Sequence, residues 1–155
     1  MTYTKELMNE FQNDKIGVNK KLYLQKAWQI NDLDHDSWID FAALFKKERK
    51  AASAITCLKK AVEADPTDAI SWIDMARLAF AIKDAKNAAQ YYSEAINLDQ
   101  MNMDLFVARK ACYEMIGSTE LAQEDAQAIQ ELKEQAEGGK KAGAEMPDDE
   151  AYEDD

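Results

Sequence analysis

The chain has 155 residues, 46% hydrophobic and 32% charged, with only five Gly and two Pro. This composition suits one compact domain with an apolar interior and leans toward helix. Its formal net charge of -11 is unevenly placed, because EMPDDEAYEDD at residues 145–155 holds seven acids and no base, leaving 19 bases against 23 acids in the other 144 residues. That balance lacks the basic patch on which nucleic acid or anionic lipid binding rests.

No apolar run approaches the length of a membrane span, and MTYTKELMNEF has neither the basic start nor the apolar core of a secretory signal. A cytoplasmic protein without nucleic-acid or membrane partners is therefore expected. Cys57 and Cys112 have no metal-ligand spacing and His35 is the only histidine, so no zinc site or other cofactor is expected and the thiols read as reduced and buried.

The string SWID occurs at Ser37–Asp40 and again at Ser71–Asp74, an offset of 34 residues. At the same offset Trp38 falls on Trp72 and Phe106, Ala54 on Ala88 and Ala122, and Asp34 on Asp68 and Asn102. One structural unit is being reused.

In chain order, residues 1–34 keep this frame faintly through Leu7, Phe11, Leu24 and Ala27, with Lys20 out of place, and read as a degenerate first hairpin. The next unit, 35–68, opens behind the N-cap Asp34 with Trp38, Phe41, Ala42 and Phe45 on one helical stripe. After the turn KKERK it carries Ala54, Ile55, Leu58, Ala61 and Val62 on a second helix. Asp65-Pro66 closes it, because proline cannot continue a helix.

Unit 69–102 repeats the plan behind Asp68, with Trp72, Met75, Ala76, Ala79 and Phe80, the turn IKDAK, then Ala88, Tyr92, Ala95 and Ile96. In unit 103–137, Phe106, Tyr113 and Ala122 fit, but Arg109 and Lys110 stand where a large apolar and a small residue are expected. Its last helix, with Leu121, Ala122, Ala126, Ile129 and Leu132 facing inward and a polar outer face, reads as a terminal cap. Residues 138–155, with Gly138, Gly139, Gly143 and the acid run, read as a disordered acidic tail.

Trp38, Phe41, Ala42, Phe45, Ala54, Leu58 and Pro66, followed by Trp72, Met75, Ala76, Ala88 and Tyr92, resemble the tetratricopeptide repeat. The resemblance implies an all-α, right-handed superhelix of antiparallel helix hairpins. It also implies that ligands contact the concave side, lined by the first helix of each hairpin. Carried onto this chain, that side presents Ile39, Ala43, Lys46 and Lys47, then Ile70, Ile73, Arg77 and Phe80, then Asp104, Val107, Ala111 and Met115. Ile70, Ile73, Phe80 and Val107 make an apolar strip that the hairpin core does not require, and such a strip wants a partner.

Some members of the family clamp carboxylates with Lys, Asn and Arg on these helices. Here Ile39, Ala43 and Asp74 stand at the corresponding positions, so that specificity is not expected. The expected function is a non-enzymatic scaffold holding a peptide or helix of another protein, as a monomer or weak homodimer. Two other readings stand beside it: a small acidic chaperone for apolar clients, and a self-associating structural subunit. No phosphate loop or nucleophile–histidine pairing offers catalysis a foothold.

Overall fold

The computed structural model describes residues 35–144, with side chains through residue 139, and the expected first hairpin at residues 1–34 lies outside the described residues. Six helices follow in order: α1 His35–Lys47, α2 Ala51–Ala64, α3 Ala69–Ala81, α4 Ala85–Leu98, α5 Met103–Met115 and α6 Thr119–Ala144. No strand occurs among the described residues. The helices pair as α1–α2, α3–α4 and α5–α6, and the pairs stack through α2 on α3 and α4 on α5.

The helix starts follow from local chemistry. Asp68 accepts from the Ser71 amide at the head of α3, and Asn102 accepts from the Asp104 amide at the head of α5, as their places in the repeat predict. Asp84 caps α4 in the same way through the Asn87 amide. Each such cap contributes about 1 kcal/mol by satisfying an amide that has no partner inside the helix. Ser71 is itself buried and donates its hydroxyl to Asp68, which accounts for the serine of the second SWID.

The turns that end the first helices also repeat. Arg49, Lys83 and Gly117, spaced 34 apart, take the left-handed conformation at φ 59°, 65° and 77°. The next amide reaches back over each turn, Lys50 to the Phe45 carbonyl, Asp84 to Ala79 and Ser118 to Tyr113, all at 2.9 Å. This closure satisfies carbonyls at the helix end, and glycine suits it best because a Cβ crowds the left-handed backbone. Arg49→Gly and Lys83→Gly are therefore expected to stabilise the fold by about 0.5–1 kcal/mol each, even after glycine's greater freedom in the unfolded chain. Urea midpoints should rise for both variants and fall for Gly117→Ala.

The core forms where these helices face one another. Trp38, Phe41, Ala42 and Phe45 of α1 meet Ala54, Ile55, Leu58, Ala61 and Val62 of α2, all buried. Met75, Ala76 and Ala79 of α3 do the same against Ala88, Tyr92, Ala95 and Ile96 of α4. Ala54, Ala61, Ala76, Ala88 and Ala95 expose no surface, so the axes approach closely at these residues. Cys57 and Cys112 are free and fully buried, and burial pushes the Cys57 thiol up to about 12 and raises that of Cys112. Both are inert at neutral pH.

Three expectations need correction. Trp72 is only half-buried, because it lies tilted against Tyr91 with its indole N–H directed to the Pro66 carbonyl at 3.4 Å, at the edge of the core. Leu121 points outward, 41% exposed, whereas Ala122, Ala126, Ile129 and Leu132 keep the inward stripe of α6, joined by the buried Asp125. The last helix also continues to Ala144, past the expected boundary at 137, carrying Gly138, Gly139 and Gly143 inside it.

The odd residue of the third unit has a partner. The Arg109 guanidinium lies between the rings of Phe106 and Tyr113, 5.5 and 5.6 Å from their centroids, and makes two bonds to the buried Asp125 carboxylate at 3.0 and 2.6 Å. A third bond, at 3.1 Å, goes to the Ser93 hydroxyl on α4. Ionic and ring contacts thus replace, in the last hairpin, the apolar packing that Phe41 and Met75 supply in the earlier ones.

Candidate functional site

In α1, α3 and α5 the buried stripe faces the second helices, which leaves the opposite side of each first helix free of the hairpin core. The residues read from the sequence lie on that side. Ile70 is 73% exposed, Met115 53%, Val107 49% and Phe80 37%. Ala43, Lys46, Lys47 and Arg77 are exposed and Ala111 is half-buried.

Ile39 and Ile73 differ from expectation. Both are half-buried and pack partly on the core, so they belong to the floor of the face rather than standing free of it. At the same helical position in three successive units, Ile39, Ile73 and Val107 form an apolar column across α1, α3 and α5.

Two contacts tie α1 to α3 at opposite ends of this face. Lys46 reaches Asp74 at 3.0 Å, so one predicted base is engaged within the protein. At the other end His35 Nε2 lies 2.6 Å from Asp68, the carboxylate that also caps α3. The hydrogen bond to Asp68 raises the His35 pKa against an opposing effect of burial, with further support from Asp36. For Asp68, burial acts upward but is outweighed by hydrogen bonds from Ser71 and His35, and its pKa is lowered.

The signs define a window. Stability from His35 is complete below its unfolded value near 6.5 and disappears as pH rises through its higher folded value. Stability from Asp68 disappears as pH falls through its depressed folded value. The contact should be strongest near pH 5. Thermal unfolding of His35→Gln, compared with wild type, should show a deficit of up to about 1 kcal/mol at pH 5 that closes by pH 8.5, as for other solvent-touched pairs.

No group of three or more His, Cys, Asp or Glu among the described residues is placed to hold a metal ion. No helix among them is long and apolar enough to cross a membrane. Sequence reasoning missed His35 and Asp125 as working residues, although each lies at a place where one unit departs from its neighbours, and it read Asp68 only as a cap.

Stacked helix pairs with one open face define an α-solenoid of repeated hairpins, a class built for contact rather than catalysis. Residues 35–68 and 69–101 match the family model of the tetratricopeptide repeat, so the chain contains two tetratricopeptide repeats, and its described helices have the stacked-hairpin fold of that family.

Its structure is similar to the second tetratricopeptide domain of Spaghetti (RPAP3), bound to the HSP90 peptide SRMEEVD. The two are 25% identical with a TM-score of 0.55, over 69% of this chain and 98% of that one. The first domain of the same protein, bound to the same peptide, is 22% identical with a TM-score of 0.55, over 64% and 79%. MamA shares the fold at 12% identity with a TM-score of 0.62, over 87% and 81%. No match to a curated protein sequence was found.

Proposed function

We propose that the protein is a non-enzymatic scaffold that holds a peptide or helix of a partner protein against the open face of α1, α3 and α5. The carrying observation is the exposure of Ile70, Phe80, Val107 and Met115 on that one side of the first helices. Burying one such side chain contributes roughly 1.5–3 kcal/mol, so three or four support micromolar binding after ordering costs of several kcal/mol. The Spaghetti domains, which bind the peptide SRMEEVD, support peptide capture in general. Ile39, Ala43 and Asp74 supply no cationic clamp for an acidic terminus, so the preferred segment is apolar.

Selection of 16-residue peptides from a random display library tests this reading. Ile70→Glu is the informative variant, because Ile70 is 73% exposed and its loss leaves the core intact. Selected peptides should bind it at least about tenfold more weakly, by loss of one apolar contact. Peptides that bind Ile70→Glu and wild type equally would remove the face from consideration.

A further inference from the structure

The open face carries an ordered charge pattern as well as an apolar floor. Because α1, α3 and α5 are all first helices of stacked hairpins, their N-termini share one edge of the face and their C-termini the other. Along the first edge stand the acids Asp36 and Asp104, both exposed. Toward the second stand Lys46, Lys47 and Arg77, also exposed. Lys46 shares its charge with Asp74, and on α5 Lys110 and Glu114 pair with each other at 2.7 Å, so the basic edge belongs mainly to α1 and α3. Between the edges runs the column Ile39, Ile73 and Val107.

The occupant must therefore present three chemistries at once: bases toward one edge, apolar groups toward the floor and acids toward the other edge. An extended chain alternates between two faces and cannot do this, whereas a helix carries three separate stripes.

We infer that the segment held on this face is an amphipathic helix of a partner protein, its apolar stripe flanked by bases on one side and acids on the other. This rests on the proposed scaffold function and adds the chemistry of the partner. It runs along the superhelix, across α1, α3 and α5. Opposite charge along both edges fixes its rotation, and a like charge on either edge is penalised.

Three capped 15-residue helical peptides test the inference, each with leucines at 1, 4, 8, 11 and 15. Their flanks are Lys on one side and Glu on the other, Lys on both sides, or Glu on both sides. Titration into the full chain at low salt should favour the mixed peptide by about tenfold over each of the others, with the margin shrinking as salt rises. With Asp36→Lys and Asp104→Lys together, the all-Glu peptide should become the tightest. Circular dichroism of each variant confirms that the helices are retained.

If binding is weakened by Ile70→Glu but either uniform peptide equals the mixed one, the charge inference is overturned and the scaffold reading stands. If no peptide binds, or binding ignores Ile70→Glu, both fall.

Discussion

Arg109→Ala should unfold the third hairpin at a cost of about 3–5 kcal/mol, because it leaves the Asp125 carboxylate charged and without its partner at 3% side-chain exposure. The expected result is a lower urea midpoint and loss of hydrogen-exchange protection in α5 and α6 while α1 and α2 remain protected. The Ser93 hydroxyl on α4 also loses the bond it accepts from Arg109, while keeping its donation to the Ala89 carbonyl, so the second hairpin is touched only lightly. Replacing both charges, as Arg109→Met with Asp125→Leu, should recover most of the loss, since apolar residues of similar volume commonly match or exceed a buried ion pair. Met is the residue that the second unit carries at this place, as Met75. A double variant as unstable as Arg109→Ala would mean that the ring and hydroxyl contacts, not the charge pair, hold the hairpin.

Phe41→Ala is expected to cost about 3–5 kcal/mol by emptying a fully buried site. Phe41 lies beside Trp38, their ring centroids 6.2 Å apart, and within the apolar cluster that α1 shares with α2. A solenoid is stabilised by neighbour-to-neighbour interfaces, so the loss falls first on the α1–α2 pair. Exchange protection should drop there and persist in α3 and α4, the reverse of the Arg109→Ala pattern. Uniform loss across all six helices would show that the stack unfolds as one cooperative unit.

These two sites differ in how legible they are. Phe41 is readable from periodicity alone, as are Trp38, Ala42, Phe45 and the paired alanines, because burial recurs every three and four residues and again every 34. Arg109 is visible only as an exception. Its explanation needed Asp125, 16 residues on, where the earlier units have Cys57 and Tyr91. Two departures of opposite charge within one unit were the available signal, and pairing them required knowing that α5 and α6 lie antiparallel.

The open face was legible to a similar degree. Exposure of Ile70, Phe80, Val107 and Met115 follows from their helical phase. The partial burial of Ile39 and Ile73 does not, because it depends on how closely adjacent hairpins approach. Arg49 and Lys83 could have been placed in left-handed turns by their register with Gly117, yet their side chains give no hint of it.

The length of α6 has its own result. It has 26 residues against 13 in α5, and its second half borders an open hollow of about 520 Å³ lined by Leu132 and Ala136 together with Met101 and Met103. Short helices stand poorly in water without lateral support, and interior glycines weaken them further. Warming therefore loosens the outer turns of this helix while the repeats behind it stay whole, and among the described residues a protease gains its first foothold there.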